Sequence, residues 1–161
     1  MAFPAYPLVN GHRFSWVSIN AIFGLIPIPI LGLKSINYSS KLTPGKVRGT
    51  APQVIGRTRG EHDAAGDFEM LRLEWELFKT QLGLAGMGFG ETAFPIIVQY
   101  AEVLTPVPSP VITDTVIGCR ITENAASNQE GTDPAMIKCT LDVLDVLWNG
   151  VSIAFPDKVA F

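Results

Sequence analysis

Residues 135–143, with the sequence AMIKCTLDV, carry the clearest fold signal in this chain of 161 residues. Apolar and polar residues alternate along the stretch, which is the period of a β-strand with one buried face and one wet face. The residues predicted to point inward are Ile137, Cys139, Leu141 and Val143. Those predicted to point outward are Lys138, Thr140 and Asp142.

The preceding stretch, residues 116–123 (VIGCRITE), repeats this alternation. Its buried face is predicted to carry Ile117, Cys119 and Ile121, and its wet face Arg120 and Thr122. The polar stretch 124–134 predicts a loop between the two strands, so we expect them to pair antiparallel. If Cys119 lies opposite Cys139, a disulfide is sterically possible, but assembly in the cytosol favours two buried thiols.

Further strands are predicted over residues 14–24, 33–39 and 94–103, and a turn at Trp148-Asn149-Gly150. One good helix signal covers residues 66–82, where Asp67 is suited to cap the start and Gly83 to end the helix. Its apolar stripe consists of Leu71, Trp75, Phe78 and Leu82. The predicted fold class is mainly β: an antiparallel β-sandwich or barrel with one flanking α-helix and a long projecting hairpin loop.

The projecting loop is residues 41–60, KLTPGKVRGTAPQVIGRTRG, which contain four glycines, five basic residues and no acidic residue. A hairpin with arms of about nine residues reaches about 30 Å, whereas a domain of this size has a radius of gyration of only about 15 Å. We therefore predict that the segment leaves its own subunit. A mobile surface loop is the alternative interpretation.

Charge is divided unevenly along the chain. Residues 1–60 contain seven basic and no acidic residues, whereas residues 61–161 contain five basic and all 15 acidic residues. The two parts pair within one fold, or a basic extension meets an acidic surface on a neighbouring copy. Charge alone leaves both interpretations open.

Catalytic, metal-binding and cofactor-binding patterns are absent from the sequence. Glu61-His62-Asp63 is the one cluster that resembles such a site, but three consecutive residues of an extended chain do not converge, and we interpret it as a solvated turn. The most apolar run, residues 21–33, is too short to span a bilayer and contains Pro27 and Pro29. Without a signal-peptide pattern, we expect a soluble, non-enzymatic protein made in the cytosol.

Several separated motifs occur in a familiar order. They are NGHR (10–13), GLKSINYS (32–39), GKVRGT (45–50), IGRTRG (55–60), IGCRI (117–121), the loop 127–133 and LWNG (147–150). Together they resemble the tail tube proteins of contractile-tailed bacteriophages, over roughly residues 10–150. The Pro-rich residues 26–30 and the segment after residue 150 do not take part in the resemblance.

The resemblance implies a single tail-tube domain over residues 1–161, with an N-terminal arm over 1–12, a stacking loop over 41–60 and a C-terminal tail over 151–161. Subunits of this family form hexameric rings in which a continuous β-barrel surrounds a lumen. The rings stack inside a contractile sheath, and DNA passes through during ejection. The residues expected to contact the adjacent ring are Lys41, Lys46, Arg48, Arg57 and Arg59.

The implied partners are further copies of the chain, the sheath protein, the tape-measure protein, and the baseplate and neck tube proteins, with no membrane and no cofactor. The chain is then a late structural protein of the virion, assembled in the host cytoplasm. The tube subunit of a related contractile injection or secretion system is the alternative within this class. An unrelated small β-barrel enzyme or binding module requires a convergent polar pocket, which the sequence does not show.

A tube that conducts DNA must not hold it, because every basic residue that neutralises a phosphate adds affinity. We therefore predict a polar lumen, neutral to acidic, in which acidic residues offset each basic one. The candidate lumen residues are Gln99, Glu102, Arg120, Thr122, Lys138, Thr140 and Asp142. In the alternative interpretation, these faces lie on the outside of the tube against the sheath.

Overall fold

The computed structural model describes residues 16, 19–24, 31–83, 88–101 and 111–153. These residues form ten β-strands and one α-helix. The elements are β1 (Ile19–Phe23), β2 (Leu33–Thr43), β3 (Lys46–Arg48), β4 (Val54–Arg57), β5 (Glu61–Leu71), α1 (Arg72–Gly83), β6 (Phe94–Tyr100), β7 (Ile112–Ser127), β8 (Met136–Val143), β9 (Asp145–Trp148) and β10 (Val151–Ser152). The strands pair antiparallel throughout, which confirms the predicted fold class.

Two sheets share the long strand β7. The first, which we term the polar sheet, has the order β2-β5-β8-β7 and uses residues 120–127 of β7. The second has the order β1-β6-β7-β9-β10 and uses residues 112–119 of β7. The inner faces of both sheets contribute to one buried apolar core, so the architecture is a β-sandwich.

Gly118 marks the place where β7 passes from one sheet to the other. Its φ is +64°, and a Cβ there would lie 2.4 Å from the Leu144 side chain, so another residue would be strained and crowded. The positive φ also interrupts the alternation of the strand. Val116 and Cys119 are buried, whereas Ile117 is only partly buried, so the prediction that Ile117 shares a face with Cys119 is wrong.

The helix α1 is shorter than predicted, because residues 66–71 belong to β5. This strand lies between β2 and β8 and forms backbone hydrogen bonds with both, which outweigh the helical pattern of its last residues. Asp67 therefore does not cap the helix, while the predicted end at Gly83 is confirmed.

Aromatic side chains fill the core beneath the helix. The Phe78 ring of α1 lies 5.0 Å from the ring of Phe23 and 5.1 Å from that of Phe94, centroid to centroid. Phe68 of β5 contacts the same group, with its ring 5.2 Å from Phe23. Trp75, Phe78 and Leu82 are buried as the stripe predicts, whereas Leu71, the first residue of the predicted stripe, lies in β5 and is only partly buried. The helix thus covers the core with its apolar side. It is not long and apolar enough to cross a membrane.

The alternation predicted for residues 135–143 is confirmed along the whole of β8. The two cysteines are also buried as predicted, but they do not lie opposite each other, since Cys119 pairs with Phe94 and Cys139 with Asn124. The disulfide geometry is therefore absent. Burial raises the pKa of each thiol to about 12.

The two thiols are expected to resist a thiol reagent such as DTNB in the folded protein and to react fully after denaturation. Burial blocks access of the reagent, and the raised pKa leaves almost no thiolate at neutral pH. The measurement is the rate of labelling with and without denaturant. Rapid labelling of both thiols in the native protein would contradict the burial.

Candidate assembly surfaces

The outward side of the polar sheet forms one broad wet surface, which we term the polar face. Strand pairing aligns its residues: Ser35, Asn37, Ser39, Lys41 and Thr43 of β2; Glu61, Asp63, Ala65, Asp67, Glu69 and Leu71 of β5; Met136, Lys138, Thr140 and Asp142 of β8; Arg120, Glu123, Ala125 and Ser127 of β7, with Thr122 in the bulge of β7 beside them. Three are basic and six acidic, so the face carries a net charge of −3. Its other side chains are small and polar or methyl-sized, except for Leu71 and Met136 at the end next to the β7–β8 loop.

Each basic residue of the polar face lies directly opposite an acidic residue on the next strand. The register pairs Lys41 with Asp63, Lys138 with Glu69, and Arg120 with Asp142. Directly opposed residues of an antiparallel pair have Cβ atoms about 5 Å apart. No basic side chain of this face therefore stands without a nearby carboxylate.

The polar sheet ends in two long borders. β2 forms one border and residues 120–127 of β7 form the other, and within the described residues neither pairs with a further strand on its outer side. An unpaired border presents a row of free backbone N–H and C=O groups, which is a template for pairing with another chain. The fold thus offers two sites for adding strands.

A projecting arm, residues 44–60, continues the β2–β5 hairpin beyond the sandwich. The short strands β3 and β4 form it, and the Thr58 N–H donates to the Gly45 carbonyl over 2.8 Å at its base. Gly60 closes that base with φ +79°, where a Cβ would lie 1.9 Å from the Thr43 carbonyl oxygen. Nearly all arm residues are exposed, including Ile55 at 68% and Val47 at 44%.

Neither protein-family models nor curated protein sequences match this chain. Solved structures do. The SPP1 tail tube has a TM-score of 0.59 and 12% identity, over 88% of this chain and 81% of its own. The sheath–tube complex of the PVC extracellular contractile injection system has a TM-score of 0.55 and 13% identity, over 90% and 89% of the two chains. The baseplate of the anti-feeding prophage has a TM-score of 0.52 and 13% identity, over 91% and 95%.

This chain has the tail-tube fold. The likeness spans nearly the whole chain, but at low sequence identity, so it establishes the architecture alone. At the level of architecture, it confirms the resemblance predicted from the motifs.

The predicted stacking residues lie in two different parts of the tail-tube fold. Lys46, Arg48 and Arg57 lie in β3 and β4, and Arg59 lies at the base of the arm. Lys41 instead lies in β2, on the polar face opposite Asp63.

The candidate lumen residues also lie in different parts of the fold. Arg120, Thr122, Lys138, Thr140 and Asp142 lie together on the wet side of β7 and β8, where the Thr122 hydroxyl donates to the Thr140 carbonyl over 3.3 Å. Gln99 lies in β6, between Asn20 and Thr113 of the second sheet, and so is not part of the polar face. Glu102 lies outside the described residues.

A partly buried polar cluster that sequence reasoning missed ties β2 to the second sheet of the tail-tube fold. The Tyr38 hydroxyl donates to Asp114 Oδ2 over 2.5 Å and lies 2.5 Å from the Tyr100 hydroxyl, and the Asn149 N–H donates to Asp114 Oδ1 over 3.0 Å. Burial raises the pKa of Tyr38 far above its usual range, and the hydrogen bond to Asp114 is the second largest cause. The sequence contained a signal for this cluster. Asp114 is two residues before the inward Val116, so strand alternation places both side chains on the buried face.

The Glu61-His62-Asp63 cluster starts β5 rather than forming the solvated turn that we predicted. Glu61 and Asp63 point to the polar face, while His62 points inward, where its Nε2 lies 3.1 Å from Oδ1 of the buried Asp145. The Ser152 hydroxyl donates to Asp145 Oδ2 over 2.5 Å. The contacts join the base of the arm to the β9–β10 hairpin, and no group of three or more potential metal ligands occurs among the described residues.

Proposed function

We propose that this chain is a structural subunit of a phage tail inner tube, in which hexameric rings stack and the lumen conducts DNA during ejection. It has no catalytic role in this proposal. The observation that carries the proposal is that the two borders of the polar sheet pair with no further strand among the described residues, and the tail-tube fold supports it.

Ring closure follows from the direction of the strands. The polar sheet has the order β2-β5-β8-β7 with every pair antiparallel, so β2 and β7 run in opposite directions at its two borders. When β2 of one copy meets β7 of the next, the new pair is antiparallel as well. The same head-to-tail contact repeats around a closed ring, which uses both borders of every copy and leaves none exposed.

The polar face then lines the lumen. Its net negative charge repels the phosphates of DNA, and the acidic residue opposite each basic one limits local attraction. Most of its uncharged side chains are small. Of the predicted lumen residues, those on β7 and β8 belong to this wall, and the proposal does not extend to Gln99.

The proposed partners are further copies, the sheath protein around the tube, the tape-measure protein within it, and the baseplate and neck tube proteins at its ends. The subunit is assembled in the host cytoplasm and belongs to the virion tail. The alternative is the tube of a contractile injection system. The likeness to the PVC and anti-feeding prophage structures is the observation that supports this alternative. Capsid and terminase genes beside this one would indicate a phage.

Electron microscopy of the purified chain tests the proposal. We expect rings of six subunits, and hollow tubes at higher protein concentration, because the borders of the polar sheet pair between copies. Sedimentation velocity over the same concentrations gives the mass of the ring. A compact monomer at every concentration would contradict the proposal.

A further inference from the structure

The turn between β9 and β10 consists of Asn149 and Gly150, whose φ values are +52° and +89°. Positive values at both positions are those of a type I′ turn. In an asparagine–glycine pair the glycine N–H can reach the preceding side-chain amide, because glycine has no Cβ to hinder the approach. The chain contains this pair at residues 10–11 and 149–150, and the second lies within the described residues.

The surroundings of this turn leave both reacting groups accessible. Asn149 and Gly150 are exposed, and a Cβ at Gly150 would meet nothing within 4 Å. Within the described part of the chain, no hydrogen bond engages the Gly150 N–H or the Asn149 Nδ2. The nucleophilic nitrogen and the leaving amine are therefore both open to solvent.

One contact activates the side chain of Asn149. The Thr113 N–H donates to Asn149 Oδ1 over 3.3 Å. A donor at this oxygen draws electron density from Cγ and stabilises the negative charge that builds on the oxygen when Cγ is attacked. Thr113 lies in β7 and pairs with Gln99 of β6. The second sheet thus holds a donor at the atom where charge develops.

We propose that Asn149 is a site of spontaneous deamidation. The Gly150 nitrogen gives its proton to water and bonds to Cγ of Asn149, the Cγ–Nδ2 bond breaks, and ammonia leaves with a proton from solvent. Water then opens the resulting succinimide ring at either carbonyl carbon, which leaves aspartate or isoaspartate at this position. The net reaction consumes one water and releases one ammonia, so it requires no enzyme and no oxidant.

The new carboxylate lies beside one that is already buried. The Asn149 N–H donates to Asp114 Oδ1 over 3.0 Å, and Asp114 Oδ2 accepts the Tyr38 hydroxyl. A second negative charge next to Asp114 raises the cost of keeping that carboxylate ionised and buried. Isoaspartate also adds one carbon to the main chain of a two-residue turn, whose geometry matches the flanking strands. Deamidation therefore weakens the contacts of this turn with Asp114.

The border strand β2 depends on the same turn. The Trp148 ring lies 5.2 Å from the Tyr38 ring, centroid to centroid, and Trp148 Nε1 donates to Ser40 Oγ over 2.9 Å. Among the described residues β2 pairs with β5 alone, so these side-chain contacts hold it on its inner side. We expect deamidation to loosen β2 more than the central strand β8.

Peptide mapping by mass spectrometry tests the site, on folded chain incubated at mildly alkaline pH. The controls are the asparagines of the described residues that no glycine follows: Asn20, Asn37, Asn124 and Asn128. We expect Asn149 to convert roughly tenfold faster or more than any of them, because only its neighbour lacks a Cβ. Conversion no faster than in these four would overturn the site. A rate far below that of a free peptide with residues 145–153 would overturn the activation by Thr113.

The substitution Asn149→Asp tests the consequence, and Asn128→Asp is the matched control, because it adds the same charge in the exposed loop 128–135. We expect Asn149→Asp to lower the thermal midpoint by about 2–4 °C and to speed hydrogen exchange in β2 but not in β8, while the control changes neither. Unchanged exchange, or equal acceleration in both strands, would overturn the selective loosening. Protein concentrations below those that support assembly keep both readouts independent of the proposed function.

Discussion

A cysteine pair placed across the junction between two copies, Ser39→Cys with Ala125→Cys, is expected to give a covalent ladder that ends at six subunits. Ser39 lies in the free border strand β2, and Ala125 in the free border of β7, both on the polar face. Ring closure brings these borders together in every copy. Oxidation of assembled protein followed by non-reducing electrophoresis measures the ladder.

Two further double variants test neighbouring registers of the same junction. They are Asn37→Cys with Ala125→Cys, and Lys41→Cys with Ala125→Cys. All three β2 positions lie on the same face, about 7 Å apart along the strand, and a disulfide requires Cα atoms about 4.4–6.8 Å apart. Each single variant is a control, and the native Cys119 and Cys139 are buried. If assembled rings yield no ladder with any of the three pairs, these borders do not form the junction.

The substitution Phe78→Ala is expected to lower the free energy of unfolding by about 3–5 kcal/mol. Phe78 is fully buried, and its ring contacts those of Phe23, Phe68, Trp75 and Phe94. The smaller side chain leaves a cavity where the helix meets both sheets. Urea denaturation monitored by circular dichroism measures the change, at protein concentrations below those that support assembly, because self-association would add apparent stability.

The neighbouring residue provides a matched control. Leu77 is on the same helix and 58% exposed, so Leu77→Ala is expected to change the free energy of unfolding by no more than about 0.5 kcal/mol. Equal effects of the two substitutions would show that α1 does not cover the core with the side that contains Phe78.

Much of the wet surface was predictable from local pattern. The alternation in residues 135–143 assigns Lys138, Thr140 and Asp142 to the outward face, and the structure confirms it. The charges and glycines of residues 41–60 likewise predict a projecting hairpin, and the arm has that form. Which carboxylate faces each basic residue was not predictable, because the pairing of Lys138 with Glu69 depends on β5, far away in sequence.

The mainly β character, the inward face of β8 and the buried residues Trp75, Phe78 and Leu82 of α1 follow from local sequence pattern, because a period of two or 3.6 residues is a local property of the chain. By contrast, the extension of β5 through residues 66–71, the bend of β7 at Gly118 and the position of Gln99 away from the polar face are set by tertiary contacts. These outcomes depend on which distant strands pair. Backbone hydrogen bonds to two neighbouring strands outweigh a local helical preference, and one residue with positive φ shifts every side chain that follows it.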